Sequence, residues 1–246
     1  MEPTTLDRSY RKGDRGRNVT RIQEWLCLHD VHLAVDADFG PATEAGVKRF
    51  QAQRGLPASG IVTPPVFEAL AAPMAAVLEP LAPGRRTLGA LAAAYARQHR
   101  RQRPREIGGQ NRGPWVRLYM KGHEGDAWPW CAGFACFVLQ QACETLGARM
   151  PITASFSCDS LAASARSKGL FVPGAEASNG TEIPAGSFFL NRRTSTDWVH
   201  TGLVLDAEPE VFRTIEGNTN DEGSREGYEV CERIRGYDSK DFIRVE

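Results

Sequence analysis

The sequence predicts an α+β fold in which a small three-helix bundle precedes a larger domain of helices packed on an antiparallel β-sheet. As far as residue 167, apolar residues recur at three- and four-residue steps, a spacing typical of helices. From residue 187 onwards, β-branched and aromatic runs alternate with turn residues, a pattern typical of antiparallel strands. With 246 residues and 41% hydrophobic content, the chain is long enough to bury two cores.

Three helical patterns fill the segment from Leu6 to Ala72, which predicts a small bundle. Pro41 opens the second helix at a position where its missing N–H costs nothing. Thr63 is the predicted N-cap of the third helix. The predicted buried faces are Val19, Ile22, Trp25 and Leu26 in the first helix, Val47 and Phe50 in the second, and Val66, Phe67 and Leu70 in the third.

Residues of this segment resemble a known family, the small peptidoglycan-binding domain of cell-wall hydrolases. The matching residues are Lys12 to Gly16, Val19, Ile22, Gln23, Asp36, Phe39 to Pro41, Thr43, Val47, Phe50, Gln51, Gly55, Leu56, Gly60 and Val62. The resemblance implies that residues 1–72 form a three-helix domain with peptidoglycan as its partner. Two residues depart from the family pattern. Ala37 stands where the family usually has glycine, and Gly46 stands where it usually has alanine, a change that weakens a helix by up to ~1 kcal/mol.

The following stretch predicts a linker and then a further helix. Residues 73–86 contain three prolines and a glycine, a composition typical of a semi-stiff linker. Thr87 is the predicted N-cap of a helix that ends before Pro104. The basic stretch Arg97–Arg105 is interpreted as the solvated end of this helix, because cations suit helix C-termini. Residues 105–114 are interpreted as a glycine-rich loop.

The larger domain is organised around Cys131. From Ala132 to Leu146 the apolar residues recur at helical spacing, and Gly147 supplies a stop signal. Cys131 therefore lies in the first helical turn, where the helix dipole stabilises a thiolate. The same backbone N–H groups could bind the oxyanion formed when the sulfur attacks a carbonyl. We therefore expect Cys131 to be a nucleophile.

Strand-like runs follow a further helical pattern over Ser155–Ser167. The predicted strands cover residues 187–190, 198–205, 211–216, 228–234 and 241–245. His200 lies in the second of these strands, and Glu216 ends the third. Because neighbouring strands lie ~4.8 Å apart, a hydrogen bond can join such side chains across the pair. If the helix of Cys131 packs its N-terminus against this pair, the three residues form the nucleophile, base and orienter of an acyl-transfer triad.

Three short motifs around these residues resemble the cysteine, histidine-dependent amidohydrolase/peptidase (CHAP) family. They are Pro129 to Ala132, Val199 to Gly202, and Glu216 to Asn218. The resemblance implies that residues 87–246 form a papain-like domain that cleaves an amide bond. It also implies that Cys131 attacks the carbonyl, that His200 transfers the proton, and that Glu216 orients the imidazole. Asn218 would support either the histidine or the oxyanion, and both roles stay open.

Other residues near the cysteine offer competing assignments. His123, eight residues before Cys131, is the alternative base, and Gln110 or Asn111 could donate to the oxyanion. Some members of the resembled family bind calcium through closely spaced aspartates before the cysteine, whereas only Asp126 occurs here. The six cysteines have irregular spacing and no paired zinc-ligand pattern, which favours reduced thiols. No metal and no cofactor is therefore expected.

The composition and the N-terminal sequence restrict which kinds of partner and location are expected. Thirty basic and thirty acidic residues cancel, which argues against a nucleic-acid partner. No stretch approaches ~20 uninterrupted apolar residues, so stable membrane insertion is not expected. The N-terminus lacks the basic start and apolar core of a signal peptide, so synthesis in the cytoplasm without signal-peptide export is expected.

Taken with the two resemblances, these observations predict a peptidoglycan hydrolase that acts through a Cys-His-Glu mechanism. Such a protein reaches the wall either as a phage endolysin after holin-type release or as an injected antibacterial effector, which would have an immunity protein as a partner. The alternative is a non-catalytic wall-binding protein with an inert papain-like domain. Which amide bond is cleaved stays open.

Overall fold

The computed structural model describes residues 2–220 and 227–246, and these residues form eight helices and six strands. The predicted α+β fold class is confirmed. The helices are α1 (Arg17–Leu28), α2 (Pro41–Gln53), α3 (Pro64–Leu78), α4 (Leu88–Arg101), α5 (Pro114–Tyr119), α6 (Cys131–Leu146), α7 (Cys158–Ser167) and α8 (Gly174–Ser178). The strands are β1 (Phe171–Val172), β2 (Phe188–Thr194), β3 (Asp197–Ala207), β4 (Val211–Thr219), β5 (Glu229–Gly236) and β6 (Lys240–Ile243). None of the described helices combines the length and apolar character needed to cross a bilayer.

The chain divides into two compact units whose limits differ from the predicted domains. The first unit contains the residues up to Leu78 together with Arg105–Gly125. The second contains Glu79–Pro104 and Asp126–Glu246. The segment Arg105–Gly125, which the sequence assigned to the C-terminal domain, therefore packs with the N-terminal helices.

Two buried glutamines explain why the first unit folds as the sequence predicts. On α1, the Gln23 side-chain carbonyl accepts hydrogen bonds from the backbone N–H groups of Asp36 (3.1 Å) and Ala37 (2.9 Å). On α2, the Gln51 carbonyl accepts one from Gly60 N–H at 2.9 Å. Each side-chain amide thus satisfies backbone groups of the loop that follows its helix. The predicted helices α1, α2 and α3 are confirmed.

The predicted linker begins too early, because α3 continues to Leu78 with Pro73 inside it. A proline within a helix removes one backbone hydrogen bond and is normally unfavourable. Here the residues that follow, Met74 and Val77, have no exposed surface. Burial of these two side chains offsets the missing bond, so the helix extends six residues into the segment predicted as linker.

A buried ionic cluster joins Arg105–Gly125 to the N-terminal helices. The guanidinium of Arg117, on α5, donates to both carboxylate oxygens of Glu2 (3.0 and 2.8 Å) and of Glu24 (3.0 and 2.6 Å). It also donates to Glu124 at 2.8 Å. Burial raises the pKa of Glu24, but the hydrogen bonds and charge of Arg117 oppose that rise. The sequence did not predict helix α5. The helix is held by the contacts of Arg117 with Glu2 and Glu24, which lie 115 and 93 residues away in the sequence.

The second unit contains a six-stranded antiparallel sheet with the strand order β1-β6-β2-β3-β4-β5. Strands β2 to β5 follow one another as the predicted meander. The last strand departs from it, because β6 returns to pair with β2 and also pairs with the unpredicted β1. This return places Phe242 beside Phe189 in a cluster of buried side chains on one face of the sheet.

The helices of the second unit follow their predicted start and stop signals. The Thr87 hydroxyl accepts from Ala90 N–H and so caps α4 as predicted. Gly147 ends α6 in the left-handed conformation (φ 64°). Helix α7 starts three residues later than predicted, with Ser157 as its N-cap. The interpretation of Arg97–Arg105 as a solvated helix end is wrong for His99, which is fully buried and hydrogen-bonded to Gln141 at 2.8 Å.

Replacing Arg117 with methionine should destabilise the full-length protein by about 3–5 kcal/mol. The substitution keeps much of the side-chain volume but leaves the buried carboxylates of Glu2 and Glu24 without their cation. Urea unfolding measures the effect. The matched control is Arg15→Gln, which removes an exposed ion pair with Asp38 and should change stability by less than about 0.5 kcal/mol. Equal effects of the two substitutions would contradict a structural role for the cluster.

Replacing Ala37 with glycine should stabilise the chain by about 1 kcal/mol, because Ala37 has a φ of 64°, where a Cβ is unfavourable. The loop contacts persist, since Gln23 bonds only the backbone N–H of this residue. The control, Ala52→Gly, puts glycine at an exposed position within α2 and should cost up to ~1 kcal/mol. Thermal unfolding of the full chain compares them, and a fall in midpoint for both would show that the loop is not strained.

Candidate active site

Cys131 is the first residue of α6, and its thiol is 4% exposed. The first turn of a helix has backbone N–H groups with no acceptor within the helix. A close approach brings this turn against β4. A Cβ at Gly217 would lie 2.8 Å from the Phe134 Cβ and 2.8 Å from the Trp130 ring, so only glycine fits there without a shift. The sequence thus places the N-terminus of α6 against the strand that carries Glu216.

His200 and Glu216 are joined across two neighbouring strands. The Nε2 atom of His200, on β3, lies 2.8 Å from Oε2 of Glu216, on β4. Both side chains are buried, at 2% and 0% exposure. The Glu216 side chain fits beside β3 because residue 202 is glycine. A Cβ at that position would lie 2.7 Å from the Glu216 Cγ. Nε2 bonds the carboxylate, whereas the buried Nδ1 atom has no hydrogen-bond partner among the described residues.

Two further donors fix the carboxylate of Glu216. The Thr214 hydroxyl donates to Oε1 at 2.6 Å. Arg235, on β5, donates from Nε to Oε1 at 2.8 Å and from Nη2 to Oε2 at 2.6 Å. Each carboxylate oxygen therefore accepts two hydrogen bonds. A two-pronged guanidinium contact of this kind combines charge with fixed geometry.

Three nearby groups lower the pKa of the Cys131 thiol. They are the thiol of Cys158, the side chain of His200 and the backbone N–H of Thr201. Cys158 is the first residue of α7 and is 7% exposed. Cys131 and Cys158 therefore each lie in the first turn of a helix.

Hydrogen bonds outweigh burial in setting the charges of the site. The Cys158 thiol, together with His200, lowers the pKa of Cys131 well below its ordinary value despite burial. Burial opposes the charge on His200, but its bonds to Cys131 and Glu216 raise its pKa to about 9. Burial likewise opposes ionisation of Glu216, yet its bonds from Arg235 and His200 lower its pKa to about 2. The directions of these pKa shifts favour a thiolate on Cys131 beside an imidazolium on His200.

The structure brings three predicted site residues together, Cys131, His200 and Glu216. The fourth, Asn218, is buried in β4 with a left-handed backbone (φ 54°), and its two possible roles stay predictions. The alternative base His123 and the alternative oxyanion donors Gln110 and Asn111 belong to the segment that packs in the first unit. The interactions described for the Cys131 sulfur all come from the second unit.

Sequence reasoning missed Arg235 and Cys158. A signal for Arg235 exists, because Cys231, Arg233 and Arg235 share one face of β5 while Ile234 on the other face is 69% exposed. Arginines on the inner face and isoleucine outside reverse the usual alternation and indicate a buried anion. Cys158 carries no local signal, since its predicted helix looks like an ordinary amphipathic one.

Within residues 2–220 and 227–246, no group of three or more histidine, cysteine and acidic side chains is placed to hold a metal ion. Cys131, His200 and Glu216 can supply a thiolate, a proton-transfer imidazole and a fixed carboxylate.

Comparisons with known proteins concern the N-terminal part of the chain above all. Residues 15–70 match the family model described as "Putative peptidoglycan binding domain". Over 59 residues the chain is 53% identical to the zinc D-Ala-D-Ala carboxypeptidase of Streptomyces albus G, a match that covers 23% of each protein. The chain thus spans less than a quarter of that relative. These matches support an N-terminal peptidoglycan-binding domain with peptidoglycan as its partner.

Three solved structures share partial likeness with the chain. The SleB N-terminal domain is 25% identical, covering 28% of this chain and 94% of that one, with a TM-score of 0.27. A Burkholderia AP3 phage endolysin is 33% identical over 36% of each chain, with a TM-score of 0.26. A peptidoglycan-binding protein from Clostridioides difficile is 36% identical, covering 27% of this chain and 41% of that one, with a TM-score of 0.26. The resemblance of residues 87–246 to the CHAP family stays a prediction.

Replacing Arg235 with glutamine should move the ionisation of Cys131 to higher pH by about one unit or more. Arg235 provides the strongest of the interactions that lower the pKa of Glu216. Without it the carboxylate binds a proton at higher pH, the imidazolium loses its partner, and the thiolate loses the imidazolium. The measurement is the rate of iodoacetamide labelling of Cys131 against pH, read by mass spectrometry of the peptide that contains it.

Two further variants make this measurement specific. Arg235→Lys keeps the positive charge but loses the two-pronged contact, so its labelling curve should lie between those of the native protein and Arg235→Gln. Arg213→Gln removes an exposed arginine of the neighbouring strand, which pairs with Asp206, and should leave the curve unchanged. Identical curves for all four proteins would contradict a positioning role for Arg235.

Proposed function

We propose that this chain is a cell-wall hydrolase that cleaves an amide bond of peptidoglycan with Cys131 as the nucleophile. The observation that carries the proposal is the buried pair of His200 and Glu216, whose Nε2 and Oε2 atoms lie 2.8 Å apart. Cys131 begins the helix that packs against the strand of Glu216, and Cys131 and His200 shift each other's pKa. A nucleophile, a base and a group that orients the base are the three parts that cysteine acyl transfer requires.

The first half of the proposed reaction transfers an acyl group to the enzyme. The thiolate of Cys131 forms a bond to the amide carbonyl carbon, and the π electrons move to the oxygen. Backbone N–H groups in the first turn of α6 stabilise the resulting oxyanion. When this intermediate collapses, the C–N bond breaks and the His200 imidazolium gives its proton to the leaving amine. A thioester on Cys131 and a neutral imidazole remain.

The second half uses water to release the acyl group. His200 takes a proton from water as the water oxygen bonds to the thioester carbon. The C–S bond then breaks, which frees a carboxylic acid and restores the thiolate beside the imidazolium. Glu216 keeps the ring in one orientation through both halves, since its carboxylate is held by Arg235 and Thr214. Asn218 supports either the ring or the oxyanion in this proposal.

The proposed substrate class follows from the N-terminal domain. A peptidoglycan-binding domain on the same chain holds the catalytic residues near the wall and raises their local concentration there. The similarity to a wall carboxypeptidase and to an endolysin agrees with such a role without identifying the bond that is cleaved. Two settings fit the proposal, a phage endolysin released through a membrane hole and an antibacterial effector whose producer carries an immunity protein. Neighbouring genes distinguish them.

Cys131→Ala should abolish release of new amino groups from purified sacculi, because no other group in the proposed mechanism can form the thioester. Cys143→Ala is the matched control, since Cys143 is a buried cysteine of the same helix whose thiol contacts Met150. It should retain most of the hydrolysis. Loss of His200 or Glu216 in addition to Cys131 should cause no further decrease, as expected for groups that act as one unit.

The products identify the bond and test the alternative function. Mass spectrometry that finds free N-terminal alanine indicates cleavage between sugar and peptide, whereas other new amino groups indicate cleavage in the stem or cross-bridge. The alternative of a non-catalytic wall-binding protein predicts a different result. The native chain and Cys131→Ala would both sediment with sacculi, and neither would hydrolyse them. Hydrolysis that survives Cys131→Ala would remove this cysteine from the mechanism.

A further inference from the structure

A row of three polar residues crosses the sheet at the candidate active site. His200 on β3 is directly opposed by Asn191 on β2, and Asn191 is directly opposed by Lys240 on β6. Directly opposed residues of antiparallel strands have their side chains on the same face of the sheet. Because neighbouring strands lie ~4.8 Å apart, the row extends about 10 Å from the backbone of the histidine to that of the lysine.

The proposed reaction uses only the histidine of this row. Asn191 is partly buried, and its side-chain amide has no hydrogen-bond partner within residues 2–220 and 227–246. A side-chain amide offers two N–H donors and one carbonyl acceptor, which are the groups that bond a peptide backbone. Asn191 therefore has free bonding groups on the strand next to His200.

Lys240, at the far end of the row, is partly buried and has no ion pair with any described carboxylate. Its ammonium donates to the backbone carbonyl of Asp238 at 2.9 Å. Burial lowers the pKa of Lys240, and the carboxylates of Glu216 and Asp238 act on it only beyond ion-pair distance. A charge that has lost part of its water is stabilised by a nearby anion. The ammonium of Lys240 thus lacks the partner that its position favours.

The neighbouring cations differ from Lys240 in this respect. Arg192, the residue after Asn191, lies with Nη1 3.2 Å from Oδ1 of Asp241. Arg235 is paired with Glu216. The charges of both arginines are therefore used within the fold, whereas the charge of Lys240 remains available to an anion from outside the chain.

We propose that Asn191 and Lys240 form a carboxylate-binding subsite that selects acidic peptides for cleavage at the active site. Asn191 bonds the backbone of the bound peptide, and Lys240 pairs with a free carboxylate of the same peptide. An extended peptide covers ~3.3 Å per residue, so the row places this carboxylate within about three residues of the cleaved amide. The proposal rests on the proposed function and deepens it, because it specifies the class of amide substrate.

A structural role is the competing explanation for Lys240. Its ammonium bonds Asp238 in the turn between β5 and β6, where Ser239 has a φ of 56°. The same turn has a backbone hydrogen bond from Lys240 N–H to the Tyr237 carbonyl at 3.0 Å, which does not need the ammonium. A structural role predicts equal losses on all substrates, whereas the subsite predicts a loss that depends on the carboxylate of the substrate.

The experiment compares two forms of one substrate with the full-length protein. The first form is the soluble fragments that a muramidase releases from sacculi. The second is the same fragments after carbodiimide coupling with ammonia, which converts their free carboxylates into amides. The native chain should show a kcat/KM about tenfold higher on the untreated fragments, the size expected for one charge-assisted hydrogen bond.

Lys240→Gln keeps a long side chain but removes the charge. It should lower kcat/KM on the untreated fragments about tenfold, mainly through KM, and leave that on the amidated fragments unchanged. Lys240→Arg keeps the charge and should keep the preference. Lys168→Gln, the matched control, replaces an exposed lysine at the end of α7 and should behave like the native chain. Asn191→Ala should lower kcat/KM on both forms alike, because a backbone contact does not depend on the carboxylate.

A second measurement needs no hydrolysis. Iodoacetate carries a carboxylate and iodoacetamide is neutral, so the ratio of their labelling rates at Cys131 reports the positive charge around the sulfur. Removal of one charge about 10 Å away should lower this ratio about two- to threefold in Lys240→Gln. The ratio should not change in Lys168→Gln.

The two measurements separate the subsite from the proposed function. Equal losses on both fragment forms in Lys240→Gln, or an unchanged labelling ratio in that variant, would overturn the subsite. A lowered ratio in a protein that hydrolyses neither form would contradict the proposed function alone. Hydrolysis that requires Cys131 but shows no preference for free carboxylates would contradict the subsite alone.

Discussion

The buried carboxylate of Glu216 is the constraint on which the second unit depends. A charge with no solvent exposure is stable only if nearby donors replace the lost water. Glu216 meets this requirement with His200 from β3, Thr214 from its own strand and Arg235 from β5. Three strands must therefore hold their relative register for the carboxylate to remain ionised. The orientation of the imidazole follows, because the carboxylate fixes its Nε2 atom.

The charges of the site alternate in sign along one path. The pKa shifts favour a positive Arg235, a negative Glu216, a positive His200 and a negative Cys131 sulfur, so each group has neighbours of opposite charge. In a medium of low dielectric constant such alternation lets several charges be buried together, whereas any one of them alone would be neutralised. The path closes because Gly217 lets the first turn of α6 approach β4. Helix packing and ionisation of the thiol are thus parts of one arrangement.

How much of this could be predicted depends on the range of the interactions. Periodicity and capping residues predicted α1 to α4 and α6, and β-branched runs predicted five strands, because these signals are local. The His200 and Glu216 pair followed from the geometry of adjacent strands. The continuation of α3 through Pro73, the return of β6 and the cluster around Arg117 depend on distant packing, which spacing does not encode. The effect of Cys158 on the pKa of Cys131 was missed for the same reason, since twenty-seven positions separate the two residues in the sequence.

The two units show how the surroundings of a charge separate a structural cluster from a reactive site. In the first unit Arg117 sits among Glu2, Glu24 and Glu124, and the guanidinium uses its donors on these oxygens. No nucleophile occurs in that set, so its charges can only hold the fold. In the second unit the row of charges ends at the Cys131 sulfur, at the start of α6. In the proposed reaction the negative charge moves from this sulfur onto a substrate oxygen, which is the property that a catalytic site needs and a structural ion pair lacks.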